Sequence, residues 1–331
     1  MKAHEYEKAE SYYQRSLEVC AKRENELGSI AAVRDVAIPL IVIGDIKKAQ
    51  GDNSAALNYY LRAKAKFDII KGKVEIVIPS IRRDTALLLE KIGNEYSDEK
   101  KSKDAESAYL EALEEFRILR EETDSTNARR DLTRILEKVG YMQSNLENWN
   151  GAEASYSAAL EDLRGLKDGT DSLAVLCPLV SLLEKLGNIR HDIGDDEDAG
   201  KCFEEGAEAF GKLADITGAA GDKRGTAYCL LMLGETKAKR DPDGAYQCMQ
   251  EACKEFKKLT EAYYEQWSYE DLAKSCYRLA VIRKPYDIDS LREAYSLFEQ
   301  LYQWFPYTGE YKYYKDEITA LLRSAIGFRK P

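Results

Sequence analysis

Two sets of residues in this chain have types and spacing suited to a particular chemistry. The first is a column of arginines, Arg34, Arg83, Arg130 and Arg224, each ten residues before a glycine, with Cys177 taking the place once. Stacked guanidinium groups can fix carboxylates or phosphates bidentately, which predicts an anion-binding strip. The alternative is internal pairing, because Asp35, Asp84 and Asp131 follow directly and Glu90 and Glu137 lie seven residues on. Helical steps from Arg83 reach Leu87, Glu90 and Asn94, so Asn94 shares the arginine-bearing face, and Asn188 is its counterpart further along. The second set is apolar. Tyr228, Leu231, Met232, Tyr277 and Val281 occupy the sixth and seventh units, where the Glu-Lys pattern of the earlier stretches breaks. They predict a groove for the hydrophobic anchors of a peptide, or else side chains buried between repeats.

Nothing in the sequence assembles a catalytic centre. The histidines are His4 and His191; His191 lies near a helix end between Arg190 and Asp192 and is expected at the solvated surface. The seven cysteines form no CxxC pair, which disfavours a zinc site and predicts small reduced core residues. Glycines around 218–225 follow no strand and lack the order of a phosphate loop. The paired acids Glu121-Glu122, Asp195-Asp196 and Glu204-Glu205 are expected as solvated runs. No catalytic, metal-binding or cofactor-binding residue is expected, and the chain is not expected to be an enzyme.

The 331 residues carry a net charge of -10, with 33% charged. That balance disfavours nucleic acid and anionic membrane surfaces, both of which call for excess Lys and Arg. No 18-residue apolar run and no apolar signal core are present, so no membrane partner and a cytoplasmic location are expected.

A repeat positions these residues. Leu89-Glu90-Lys91-Ile92-Gly93, Leu136-Glu137-Lys138-Val139-Gly140 and Leu183-Glu184-Lys185-Leu186-Gly187 recur, and Gly44, Gly93, Gly140, Gly187 and Gly234 serve as ruler marks at spacings of 49, 47, 47 and 47. Twelve, sixteen and nineteen residues after a mark come a small residue, a ring and a small residue: Ala56/Tyr60/Ala63, Ala105/Tyr109/Ala112, Ala152/Tyr156/Ala159 and Ala199/Phe203/Gly206. After Gly234 the triplet Ala245/Met249/Ala252 comes one residue early. In the last unit Ala280 replaces the glycine and Ala294/Phe298/Leu301 come two late. These steps place small, large, small on one helix stripe, so each unit predicts two antiparallel helices, each about 30 Å long. In the fifth unit they run from Ser172 to about Asp192 and then, after Gly194-Asp195, to about Ile216. A glycine inside a helix costs about 0.5–1 kcal/mol against alanine. Repeated at a fixed period, that cost predicts close helix approach with the ring filling the gap. The Glu-Lys pairs predict a ladder that sets the register between neighbouring units.

Ile43-Gly44, Gly51-Asp52, Ala56, Tyr60 and Ala63, with Pro306 closing the final unit, resemble the tetratricopeptide repeat family, in a long-helix variant with units of about 47 residues. The resemblance implies an all-α, right-handed superhelical solenoid of antiparallel helix pairs. It implies that the first helix of each unit lines a concave wall where peptides lie. It makes Arg34, Arg83, Arg130, Arg224, Asn94, Asn188, Tyr228, Leu231, Met232 and Tyr277 candidate peptide-binding residues. The frame divides the chain into residues 1–27, the second helix of a truncated repeat; 28–306, six helix pairs; and 307–331, a capping helix with Tyr311, Tyr314, Ile318, Leu321, Leu322 and Ala325 as its apolar stripe. The uncapped first helix predicts a possible homodimer contact. The expected function is a noncatalytic protein- or peptide-binding scaffold; the alternative is a ligand- or peptide-sensing regulatory domain of a larger effector protein.

Overall fold

The structure is a computed structural model that describes residues 2–74, 77–166 and 172–326, with side chains from residue 5 onward. His4, the turn at Asp168–Asp171 and residues 327–331 therefore lie outside the described side chains or residues. Among the described residues there are fourteen α-helices and no strand. The chain divides into two compact units, Met1–Leu166 and Lys167–Pro331.

The first unit contains α1 (Lys2–Leu27), α2 (Ile30–Ala49), α3 (Asn53–Lys73), α4 (Pro79–Asp98), α5 (Ser102–Thr123), α6 (Thr126–Asn145) and α7 (Trp149–Arg164). The second contains α8 (Leu173–Asp192), α9 (Asp196–Thr217), α10 (Ala220–Lys237), α11 (Pro242–Tyr263), α12 (Gln266–Val281), α13 (Ile288–Trp304) and α14 (Gly309–Ile326). Each unit is a helical-repeat solenoid in which every helix packs on its neighbours in sequence. We call α2, α4, α6, α8, α10 and α12, which carry the ruler position, A helices; those that follow them are B helices.

Helix starts are written into the sequence. Ser29, Asp52, Ser125, Asn148, Asp195 and Asp241 each accept a backbone N–H from the first turn of the helix they precede. Such caps satisfy donors that have no partner inside the helix. The α8–α9 pair follows the expected bounds to within a residue. The late triplet of the last unit is absorbed by the longer connection from Val281 to Ile288.

Each ruler glycine faces the ring of its own B helix. A Cβ on Gly44 would sit 2.5 Å from Cε1 of Tyr60, on Gly140 2.8 Å from Tyr156, and on Gly187 2.8 Å from Phe203; Gly93 meets Tyr109 in the same way. At Gly234 the opposing group is Met249, whose Cγ would be 2.6 Å away. The flanking residues Ala56, Ala63, Ala105, Ala112, Ala152 and Ala159 are fully buried. Side chains larger than hydrogen at the ruler, or than methyl on either side of the ring, would push the helices apart. This is the packing that offsets the glycine cost.

At the end of the second unit α14 lays Tyr311 and Ile318 into the core, with Tyr314, Leu321 and Leu322 half-buried around it and Ala325 exposed. In α1 the triplet Ala9, Tyr13 and Ser16 is only half-buried.

Candidate binding surface

Within each unit, the A-helix positions not committed to the core form a face crossed by two kinds of ion-pair rung. The first rung uses the arginine column. Arg34 donates from Nε and Nη2 to Asp84, at 3.2 and 2.6 Å, and Arg83 Nε donates to Asp131 at 2.9 Å. In the second unit Arg224 grips Asp271 through Nε at 2.6 Å and Nη2 at 3.1 Å. In every case the aspartate is the one nine residues before the next ruler position, so the arginine reaches forward by one repeat. Arg130 is half-buried and is also engaged.

The second rung runs backward. The cation two residues before a ruler position reaches the residue just after the preceding one. Lys91 Nζ lies 2.6 Å from Asp45, Lys138 Nζ donates to Asn94 at 2.8 Å, and Arg278 lies 2.9 Å from Glu235. The expected Glu-Lys ladder thus takes a different form. Lys138 is 3.8 Å from Glu90, but Glu90 is held mainly by Arg134, through both Nε and Nη2.

These rungs occupy the polar candidates. Asn94 Oδ1 accepts from Tyr109 and from Lys138, and Asn188 Oδ1 accepts from the Tyr228 hydroxyl at 2.8 Å. The apolar candidates divide. Leu231 and Met232 are buried in the core, a correction to their expected place on a groove: the close helix spacing leaves them no surface. Tyr228 and Tyr277 are half-buried. The Tyr277 hydroxyl donates to Glu317 at 2.7 Å, and its ring meets Tyr314 edge-on at 5.3 Å. Burial raises the Tyr228 and Tyr277 pKa values first; the Glu317 carboxylate adds to the rise at Tyr277. Both phenols stay neutral donors at any physiological pH.

The column six residues before each mark on the first unit's A helices holds exposed Ile38, half-buried Leu87 and the exposed but ion-paired Arg134, and Tyr141, one residue after the third mark, is also exposed. Ile38 is 46% exposed, with Ile41 and Val42 half-buried beside it.

Several solved structures share this architecture. Nro1, a nuclear import adaptor of S. pombe, superposes with a TM-score of 0.56 at 13% identity, over 87% of this chain and 99% of its own. The STAND protein PH0952 of Pyrococcus horikoshii, with its tetratricopeptide repeat sensor, gives 0.54 at 14% identity, over 89% of this chain and 39% of its own. BtubC (BKLC) of P. vanneervenii gives 0.51 at 19% identity, over 78% and 91%. The chain has a tetratricopeptide-like helical-repeat fold. No protein-family model matches it, and neither does any curated protein.

His191 is half-buried, with Nδ1 2.8 Å from Asp196 and Nε2 3.9 Å from Glu235; it is more enclosed than its place near a helix end predicts, because α9 and α10 both supply carboxylates. Asp195 caps α9, and Glu122 pairs with Arg82, so neither belongs to a merely solvated run. Cys202, Cys229, Cys253 and Cys276 are buried, whereas Cys177 is exposed. Among the described residues no group of three metal-ligating side chains converges, and no helix is long and apolar enough to cross a membrane.

The sequence reading passed over a band of exposed aromatics in the second unit: Tyr264, Trp304 and Tyr307. The available signal was a frame position. Tyr264 ends α11 where Gly28 ends α1 and Gly218 ends α9.

Proposed function

We propose that the chain is a noncatalytic scaffold that binds a protein or peptide on the A-helix face of its repeats. The observation that carries this reading is the contrast inside the repeat frame. The ruler glycine, the opposing ring and the rungs recur, while the column six residues before each mark changes from Ile38 to Leu87 to Arg134. A surface that is rigid underneath and varied on top suits recognition of one particular segment. Solved proteins of the same fold include an import adaptor and a sensor domain, which agrees with binding as the common task.

On this reading Arg34, Arg83, Arg130 and Asn94 in the first unit, and Arg224 and Asn188 in the second, keep each unit's own face in register, and Ile38, Leu87 and Tyr141 supply contact area on the first. In the second unit, taken by itself, Tyr228 and Tyr277 supply rings on the corresponding face. The test is capture of partners by the immobilised chain from its native cell, run beside the double variant Ile38→Asp/Leu87→Asp, with the bound segment mapped by cross-linking. Loss of a partner on the double variant, with helicity unchanged by circular dichroism, is the expected result. An identical bound set for both proteins would remove the A-helix face as the site.

A sensing role, in which ligand binding on this face regulates an attached effector, is the second reading; the sensor domain of the Pyrococcus horikoshii protein favours it.

A further inference from the structure

The junction between α11 and α12 departs from its counterparts. Gly28 and Gly218 end α1 and α9 with φ of 60° and 68°, and Asp124 ends α5 with φ of 40°. These are left-handed conformations, in which a side chain beyond hydrogen crowds the following carbonyl and short polar residues are the usual exception. The same place after α11 is held by Tyr264 with φ of 48°. Its ring receives little packing in return, being 73% exposed. A strained backbone carrying a large exposed ring is a reason to look for a function there.

The surroundings extend the observation. Tyr263 lies 6.0 Å from Trp267, and Tyr269 meets Trp304 edge-on at 4.9 Å. The start of α12 and the start of α14 touch, since Gln266 donates to the Tyr311 hydroxyl at 2.8 Å. The α13–α14 junction therefore adds its aromatics to the same edge, with Trp304 half-exposed and Tyr307 100% exposed. Tyr and Trp are the side chains that most often anchor protein interfaces. Isolated exposed rings mean little, but a band of them on one edge marks an interaction site.

Charge identifies the occupant. From Glu261 to Glu270 the chain has three carboxylates, Glu261, Glu265 and Glu270, and no basic residue, whereas Asp271 and Glu310 at the borders of this edge are already paired with Arg224 and Lys274. The unit also shows how it handles a cation beside a ring. Arg224 stacks over Trp267 at 5.3 Å while Asp271 accepts its N–H groups. Arg283 sits 3.8 Å from the Tyr246 centroid and pairs with Asp243, and Lys315 lies over Tyr302 while paired with Glu299. Tyr264 lies between Glu261 and Glu265 in sequence, and Trp304 and Tyr307 add exposed rings to the same edge for a group from outside.

We propose that the edge of the second unit formed by the α11–α12 and α13–α14 junctions is a docking surface for an arginine- or lysine-rich segment of a partner protein. The cations of that segment stack on Tyr264, Trp304 and Tyr307 and pair with the acids between them. The proposal rests on the reading of the chain as a binding protein but uses a different surface from the A-helix face, so each can fail alone.

The test uses the full chain carrying Trp149→Phe, which leaves Trp267 and Trp304 as fluorescent reporters. A capped peptide of alternating Gly and Arg is the probe, with a Gly-Glu peptide as control. The expected result is saturable quenching by the Gly-Arg peptide alone. It should be weakened about tenfold or more in Tyr264→Gly/Tyr307→Ala, the order expected for two lost cation–ring contacts. Tyr264→Gly by itself should keep or raise Tm, because glycine suits the left-handed backbone. Neither substitution changes the net charge. Equal binding by the double variant would show general attraction to an acidic protein and overturn the proposal. So would quenching by the Gly-Glu peptide, or none by the Gly-Arg peptide at low salt. Ile38→Asp/Leu87→Asp should bind the probe like the parent, whatever it does in the capture experiment.

Discussion

The two units share one packing frame and hold their neighbouring repeats together differently. In the first unit the links are polar: Arg34–Asp84, Arg83–Asp131, Lys91–Asp45, Lys138–Asn94 and the chelation of Glu90 by Arg134. The second unit keeps Arg224–Asp271 and Arg278–Glu235 and has further ion pairs such as Arg240–Glu197 and Lys257–Glu293, but adds a set of ring contacts, including Phe298 stacked on Tyr314 at 4.6 Å. Of its two ruler glycines, Gly187 still faces a ring, Phe203, while the group opposite Gly234 softens to Met249. The glycine and the ring are dictated by the distance between paired helices. The outward face has no such constraint and can change from charged to aromatic without disturbing the pair.

The largest test of this contrast is at the ruler glycines. Gly93→Ala places a methyl against Tyr109, whose hydroxyl is tethered to Asn94 at 2.8 Å. The ring cannot swing away, so the variant should lose roughly 2 kcal/mol, overpacking of about 1–3 kcal/mol being partly offset by the better helix propensity of alanine. Gly234→Ala meets the flexible Met249 and should lose less, about 1 kcal/mol, because only the Ala245 carbonyl at 3.0 Å is fixed. Urea unfolding of both variants measures the pair. Equal losses would mean that ring rigidity does not set the cost.

Arginine rungs come next. Asp131 is 5% exposed and Asp84 35%, although each is held by an arginine of the preceding repeat. Arg83→Ala removes a main donor from a buried carboxylate and should cost about 1–3 kcal/mol, with Arg134 at 3.1 Å from Asp131 limiting the damage. Arg34→Ala leaves a carboxylate that water can reach and should cost about 0.5 kcal/mol. A larger loss for Arg34→Ala would reverse the assignment of these rungs by burial.

The frame was legible in the sequence because it depends on side-chain size at fixed helical steps. Gly44 to Gly234 and the rings from Tyr60 to Phe203 have few acceptable substitutes, so they recur visibly. The partner of each arginine was not legible. Asp84 is adjacent to Arg83 in sequence, yet it bonds Arg34 a repeat away, and only the stacking offset determines which aspartate is in reach. Leu231 and Met232 were misplaced for a related reason: apolar residues on an A helix read alike whether they face the groove or the next helix. Tyr264 was missed because its significance is conformational. The letter is ordinary, and the positive φ of the position is set by the helix end.

A carboxylate triad recurs in two forms within the first unit. Glu115, twenty-two residues after Gly93, is held by Lys71 at 2.5 Å and Arg82 at 2.8 Å. Asp162, twenty-two after Gly140, is one methylene shorter, and Arg120 and Arg129 stay at 3.4 and 3.7 Å, with Oδ2 buried and unbonded. Burial raises the Asp162 pKa despite the two arginines. With a raised folded value, the folded state binds the proton more readily than the unfolded chain. The contribution of Asp162 to stability is therefore present at acid pH and lost as pH rises from the ordinary carboxylate range through the raised value. Asp162→Glu should close the triad and stabilise the protein by about 0.5–1 kcal/mol at neutral pH. Asp162→Asn should also gain stability at neutral pH, and the gain should vanish below the ordinary carboxylate range. A stability difference independent of pH would put the origin in packing.

The smallest effect separates the backward rungs of the two units. Lys91→Met leaves Asp45 still bonded to the Tyr60 hydroxyl at 2.7 Å, and the lost pair is about two-fifths exposed on both sides. Its cost should fall at the low end of ~0.2–1 kcal/mol and fade in molar salt. Arg278→Met takes more from its surroundings: the guanidinium lies 2.9 Å from Glu235 and donates to Met232 sulfur at 3.7 Å, so packing is lost with charge. A few tenths of a kcal/mol should therefore persist in molar salt for Arg278→Met and not for Lys91→Met. Paired urea curves at low and high salt read this difference. If both losses vanish with salt, the second unit's rung is as purely electrostatic as the first's, and the change from charged to aromatic linkage does not extend to this position.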